Sequence, residues 1–226
     1  MYVWVSKSLF KGKGEKMTVY KYKIEATNKL SKDNPANVHA VLTNLFGKTE
    51  NLMNDKKIEH GIGCLFMYSD NKYGNCKAEF SFVRNGRKID VKASCTFLGE
   101  VEIQEYQDGD RVKVRGEISY SIHDTKTKKN VRVVQFNCKK NNYINGPRGE
   151  EALKAFIKTK LGVEPEQILV EPLPTVFCCN SKNVHDAFAF RVIGSVFNAE
   201  QIARLAHSSV GRARSYGFGS LSVSVE

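Results

Sequence analysis

Alternation opens the chain's first legible element. Residues 18–26 intersperse Val19, Ile24 and Ala26 with tyrosines and lysines, a pattern that predicts a strand. Asn34-Pro35 follows, with Asn as N-cap and Pro at the first helical position. Val38, Val41, Leu42, Leu45 and Phe46 then recur at helical spacing as one apolar stripe, and Gly47 stands where a helix would stop. Residues 62–68 form a short apolar run expected to be a buried strand. Residues 79–83 and 88–93 flank Arg84-Asn85-Gly86-Arg87, and Asn-Gly is a strong hairpin signal. Residues 97–106 predict a further strand, and Asp108-Gly109-Asp110 a turn, where we place a domain boundary.

Beyond that turn the alternation is cleaner. Val112, Val114, Ile118, Tyr120 and Ile122 make an apolar face, while Arg111, Lys113, Arg115 and Glu117 make the other, mostly cationic one. A basic turn carrying Lys126, Lys128 and Lys129 leads back into a strand over 131–136. Residues 150–161 read as a second helix, with Leu153, Phe156, Ile157 and Leu161 on one side and Gly162 at its end. Strands are expected at 168–170 and 187–197. A third helix spans 198–207, with Asn198 and Gln201 placed as a capping box, and the last strand carries Leu221, Val223 and Val225. The order is β-α-β-β, then β-hairpin-α-β-β-α-β. It predicts an α+β fold of tandem ferredoxin-like (RRM-like) βαββαβ domains: an extension at 1–16, one unit at 17–107 and another at 108–226. A second helix of the first unit is not visible in the pattern.

Charge narrows the partners. The 226 residues hold 35 Lys+Arg against 24 Asp+Glu, a formal net charge of +11 that favours polyanions. Cys64, Cys76, Cys95, Cys138, Cys178 and Cys179 form no C-x-x-C pair, which reads as reduced thiols with no structural zinc. The first sixteen residues lack the apolar core of a signal peptide, and no stretch is long enough to span a bilayer. A cytoplasmic chain without membrane contact, metal or cofactor is expected.

Two features carry candidate chemistry. The first is the run Gly211-Arg212-Ala213-Arg214-Ser215-Tyr216-Gly217-Phe218-Gly219 before the last strand. Glycine lets a backbone approach a bulky anion, and arginine offers a donor fork matched to phosphate. A bend into an edge strand would need the same glycines. The run is neither a Walker loop nor a dinucleotide fingerprint. The second is His39, just inside the first helix and off its apolar stripe, where an imidazole can exchange a proton near neutral pH. An ordinary exposed helical histidine would look the same. Arg84 and Arg87 at the hairpin tip, and Lys126, Lys128 and Lys129 in the basic turn, either grip phosphate or keep sheet edges soluble.

Taken together, Asn34-Pro35-Ala36-Asn37-Val38-His39 and the stretch from Gly211 to Val223 resemble the CRISPR repeat-processing endoribonucleases of the CasE family. That resemblance implies an enzyme that binds a hairpin repeat RNA and cuts it at the stem base without metal. The products would be a 2′,3′-cyclic phosphate and a 5′-hydroxyl. It implies His39 as the general acid/base and Arg214 as the neutraliser of phosphorane charge. Gly211, Arg212, Arg214, Ser215, Gly217 and Gly219 would hold the RNA backbone, and Arg84, Arg87, Lys126, Lys128 and Lys129 the stem phosphates. Partners would be the hairpin RNA and other Cascade subunits, with a monomer outside the complex. Two departures stand out. Ala36 occupies the place of a family tyrosine, which Tyr20, Tyr22 or Tyr216 would have to replace, and residues 70–97 exceed the family pattern. A non-cleaving RNA-binding homologue, or a ribonucleoprotein interaction module, is the alternative.

Overall fold

A computed structural model describes residues 17–30, 35–47, 56–84, 86–119, 121–124, 129–132, 134–137, 142–145, 149–173, 176–177, 184–185, 187–211, 214 and 218–226. The first sheet contains β1 (Val19–Ala26), β2 (Lys57–His60), β3 (Cys64–Ser69), β4 (Cys76–Arg84) and β5 (Arg87–Val101), with α1 (Pro35–Phe46) between β1 and β2. Its order is β2-β3-β1-β5-β4, and every neighbouring pair is antiparallel. With β5 as the fourth strand of a βαββαβ unit, this is the ferredoxin-like order.

The helix missing from the sequence pattern is replaced by a strand. In the regular unit a second helix returns the chain from the end of the third strand to the start of the fourth. Here β4 makes that return along the sheet edge, beyond β5. The stretch 70–97 is therefore only partly an insertion, because most of β5 is a core strand of the unit. Tyr22, Ile24, Val38, Val41, Leu42, Ile58, Leu65, Met67 and Val91 pack together under α1.

The second sheet holds β6 (Arg111–Ser119), β11 (Val163–Pro172), β14 (Ala187–Val196) and β15 (Leu221–Val225), in the order β11-β14-β6-β15, again antiparallel and ferredoxin-like. Short paired strands leave it: β7 (Ser121–Asp124) with β8 (Lys129–Arg132), β9 (Val134–Asn137) with β10 (Asn142–Asn145), and β12 (Val176–Phe177) with β13 (Val184–His185). The helices are α2 (Gly149–Phe156) and α3 (Ala199–Ala203). Leu153, Phe156, Ile157, Leu161 and Ile202 pack on Val112, Val114, Phe188, Phe190 and Val192. The chain thus has a tandem α+β ferredoxin-like fold. Among the described residues no helix is long and apolar enough to cross a membrane.

Several expectations shift. Ile62 is fully exposed in a turn rather than buried in β3, which begins at Cys64. The separate strand expected at 97–106 does not exist: β5 continues to Val101, and 102–107 are irregular. The helix expected over 150–161 is α-helical only to Phe156; a π turn, Ile157–Leu161, follows and ends at Gly162 with φ +69°. Widening that turn keeps both Ile157 and Leu161 buried. The third helix holds its α form over Ala199–Ala203 and tightens to a 3₁₀ turn at Arg204–Ala206. Its cap is as expected, with the Gln201 N–H donating to Asn198 Oδ1 at 3.0 Å.

Candidate nucleic-acid interface

α1 carries His39 as its period dictates. Val38, Val41 and Leu42 are fully buried, so His39 falls on the exposed side. The helix start is fixed by Asn37, whose Nδ2 donates to the Lys29 carbonyl at 3.1 Å and whose side chain is buried. Its end is fixed at Gly47, whose N–H donates to the Thr43 carbonyl at 2.8 Å with φ +88°. Asn34 lies outside the described residues.

The glycine run is a closed loop with a rigid base. Val210 N–H donates to the Gly219 carbonyl at 2.9 Å, and Gly219 N–H donates to the Glu117 carbonyl at 2.7 Å. Gly219 has φ +81°, and a Cβ there would sit 1.9 Å from the Val210 carbonyl oxygen, so no side chain fits. Gly211 also has a left-handed φ of +79°, but a Cβ there would make only ordinary contact with Ile118 at 3.8 Å. Its glycine answers a conformational need; that of Gly219 answers both conformation and packing. Val210, Phe218 and Leu221 bury their side chains beneath the loop. Arg214 turns back, Nη1 donating to the Ser209 carbonyl at 3.4 Å. Ser209 in turn donates its Oγ to the Lys56 carbonyl at 2.6 Å in a buried bond that joins the loop base to the residue before β2. Arg212, Ser215 and Gly217 lie outside the described residues.

The other cationic candidates are separate features. Arg84 and Arg87 face each other at the end of the β4–β5 hairpin, both exposed, around Gly86 with φ +73°. Lys129 opens β8 in the β7–β8 hairpin, and Lys126 and Lys128 lie outside the described residues.

Of the tyrosines named in the sequence for the place of Ala36, Tyr22 has its hydroxyl engaged in the core. It is fully buried, its Oη accepts from the Tyr73 N–H at 2.6 Å, and its hydroxyl faces the Asn71 carbonyl at 3.4 Å. Burial pushes its pKa up, against the opposing Tyr73 hydrogen bond. Tyr20 is half-buried against Phe97, with the Lys72 ammonium 5.6 Å from its ring centre. Tyr216 lies outside the described residues.

Two further groups of residues were not among the sequence candidates for RNA contact, although the alternation puts Arg115 on the cationic face of its strand. On the second sheet, Arg115 and Arg191 are direct cross-strand partners on the face away from α2 and α3. On the first, Phe66 and Tyr68 lie on the face away from α1. The run 62–68 is expected to be a buried strand, but Cys64, Leu65 and Met67 are buried while Phe66 and Tyr68, which alternate with them, are half-buried. Their alternation with core residues was the available signal. A cleft of about 390 Å³ lies between the two sheets at β2, where Glu59 and His60 meet Arg115, Glu117, Glu171 and Arg191.

No protein-family model matches the sequence, and no curated protein matches it. Solved structures do. The chain is similar to the CRISPR endoribonuclease Cse3 bound to a 19-nucleotide RNA, with TM-score 0.52 at 12% identity over 91% of this chain and 99% of that one. A second structure of Cse3 bound to 19-nucleotide RNA gives TM-score 0.51 at 14% identity, over 93% and 100%. The CRISPR-associated protein Cas6e from Escherichia coli K-12 aligns with TM-score 0.49 at 16% identity, over 92% and 99%. At these identities the likeness to Cse3 is one of fold, along nearly the whole chain.

Proposed function

We propose that this chain binds a hairpin RNA of the CRISPR repeat kind and cleaves it at the stem base without a metal ion. The observation that carries the reading is the loop at 210–219. Its base is locked by Gly219 and by the Ser209–Lys56 bond, and Arg214 donates to the Ser209 carbonyl at that base. The exposed His39 and the fold held in common with RNA-bound Cse3 support it.

The chemistry is an internal transesterification. The ribose 2′-oxygen attacks the adjacent phosphorus, the bond from phosphorus to the 5′-oxygen breaks, and the leaving oxygen takes up a proton. The ends are a 2′,3′-cyclic phosphate and a 5′-hydroxyl. His39 removes the 2′-OH proton or delivers the one needed by the leaving group, a contribution of roughly 10²–10⁴-fold. Arg214 swings from the Ser209 carbonyl to the phosphorane, where a fixed guanidinium offsets the added negative charge. Backbone N–H groups of the glycine loop approach the phosphates. Arg84, Arg87 and Lys129 hold the stem backbone, which positions an A-form helix without reading its sequence. Other Cascade subunits are the proposed protein partners.

A second reading is an RNA-binding homologue that has lost cutting. Ala36 favours it, since Tyr22 is engaged in the core and supplies no hydroxyl to the site. Single-turnover cleavage of labelled hairpin repeats in EDTA separates the two. Cutting that falls by about 10²-fold or more in His39→Ala, with hairpin affinity kept, supports the nuclease. Equal cutting by both proteins removes His39 from the chemistry. Tight binding with no product from wild type leaves the second reading.

A further inference from the structure

The open face of the first sheet carries an arrangement that the hairpin reading does not use. β3 is one of the two inner strands of its four-stranded unit, flanked by β1 and β2. On the face away from α1 it presents Phe66 and Tyr68 two residues apart. Lys21 and Lys57 lie directly beside Tyr68 on the flanking strands, and Lys23 and Glu59 beside Phe66. The Lys21 ammonium stands 4.5 Å from the Phe66 ring centre and 5.5 Å from that of Tyr68, and Lys57 stands 5.2 Å from Tyr68. A face that needed only solubility would not place two aromatics at alternate positions of an inner strand.

The pattern fits a known physical scheme. RRM-type sheets bind single-stranded RNA by stacking bases on aromatics of the sheet surface, while cations take the phosphates. An ammonium over a ring at a solvated site is held more weakly than a stacked base. A base can therefore displace Lys21, and its flexible stem carries the charge to the phosphate beside that base. Lys23 and Lys57 are paired along their own strands with Glu25 at 2.7 Å and Glu59 at 2.9 Å. Burial raises the Glu59 carboxyl, but Lys57 and the Tyr68 hydroxyl outweigh it and hold it below the usual carboxylate range. The Lys21 charge also acts on Glu59, but Lys21 makes no ion pair at contact distance among the described residues.

The facing sheet adds a second cationic element across the cleft. Arg115 and Arg191 are directly opposed, and neither reaches a carboxylate at ion-pair distance among the described residues, whereas nearby Arg111 pairs with Glu166 and Glu226. Like charges directly opposed in a sheet repel, and an anion lodged between them removes the repulsion. Glu59, the cross-strand neighbour of Phe66, lines the same cleft as this arginine pair, together with Glu117 and Glu171.

We propose that the open face of the first sheet, through Phe66, Tyr68 and Lys21, binds a single-stranded RNA segment by base stacking, with Arg115 and Arg191 taking a phosphate of the same strand. The inference rests on the RNA-binding reading above but uses the opposite face of the sheet from α1 and His39. The occupant is two or three unpaired nucleotides, such as those flanking a hairpin.

The test uses the full chain with a fluorescein-labelled eight-nucleotide uridine RNA, and separately an RNA hairpin without single-stranded flanks. Wild type is expected to bind the single strand with salt-sensitive affinity. Phe66→Leu combined with Tyr68→Leu is expected to weaken it at least about tenfold, and Lys21→Glu severalfold. A thermal melt checks folding of each variant. Photocrosslinking of wild type to 4-thiouridine RNA, read by mass spectrometry, needs no variant and is expected to mark the peptide containing Phe66 and Tyr68. Crosslinks confined to other surfaces, or unchanged affinity in folded variants, overturn the platform. Wild type that cuts the flankless hairpin yet ignores the single strand overturns the platform alone. Binding of the single strand without any hairpin recognition overturns the hairpin reading and keeps the platform.

Discussion

Tyr22 shows how one buried hydroxyl narrows the catalytic options. Its Oη accepts the Tyr73 N–H at 2.6 Å, so removing it strands a donor in the core. Tyr22→Phe is expected to cost about 1–3 kcal/mol of stability by urea denaturation. Below its melting temperature the variant should cut RNA at the wild-type rate, and a rate drop of tenfold or more would return Tyr22 to the site. Cys95 gives a second test at this scale. Burial, then the neighbouring Cys76 thiol, pushes its pKa up to about 12. The folded state holds that proton more tightly than the unfolded chain does. Stability tied to it is therefore full below the unfolded pKa of about 8.5 and is lost as pH rises toward 12. The thiolate is the reactive form, so iodoacetamide at pH 8 should leave Cys95 unmodified until denaturant is added. Equal labelling rates in folded and unfolded protein would contradict this.

Among the elements, the base of the 210–219 segment is tightly constrained at Gly219. Gly219→Ala forces a methyl onto the Val210 carbonyl at a positive φ, so the strand β15 must shift or the loop must open. We expect a melting temperature lower by several degrees and weaker hairpin binding, whereas Gly211→Ala, which meets Ile118 only at ordinary contact distance, should be milder. Equal effects would show that packing at Gly219 is not limiting. The elements readable from sequence are those whose burial is one-sided. α1, β6 and β15 announce themselves through a clean apolar stripe or alternation, and β1 does so beyond its irregularity at Lys21/Tyr22. β2 did not, because Lys57, Glu59 and His60 surround one core residue, Ile58. β11 was read only over 168–170, because Pro165 interrupts its pattern; the register shifts there, as an edge strand tolerates. Of the candidate site, His39 and the glycine loop were legible as motifs. The Ser209–Lys56 bond was not, since it joins residues 153 apart and involves a backbone carbonyl, which leaves no trace in composition.

Across the whole molecule, two sheets of the same strand order stand in tandem, with a groove bordered by the open faces of both. The first unit gives up its second helix for the β4–β5 hairpin, which carries Arg84 and Arg87 outward. Cations on the hairpin, the loop and the groove suit a backbone-dominated RNA contact, so hairpin affinity should fall steeply with added salt, the logarithm of the binding constant dropping in proportion to the phosphates neutralised. The central claim is that the RNA's own 2′-hydroxyl is the nucleophile. The most direct measurement uses a hairpin with a single 2′-deoxy substitution on the nucleotide 5′ of the cut, in EDTA. The account predicts binding close to that of the unmodified hairpin and no product, while the unmodified RNA yields a 2′,3′-cyclic phosphate end. Cleavage of the deoxy substrate, or a 3′-hydroxyl end on the normal one, would contradict it.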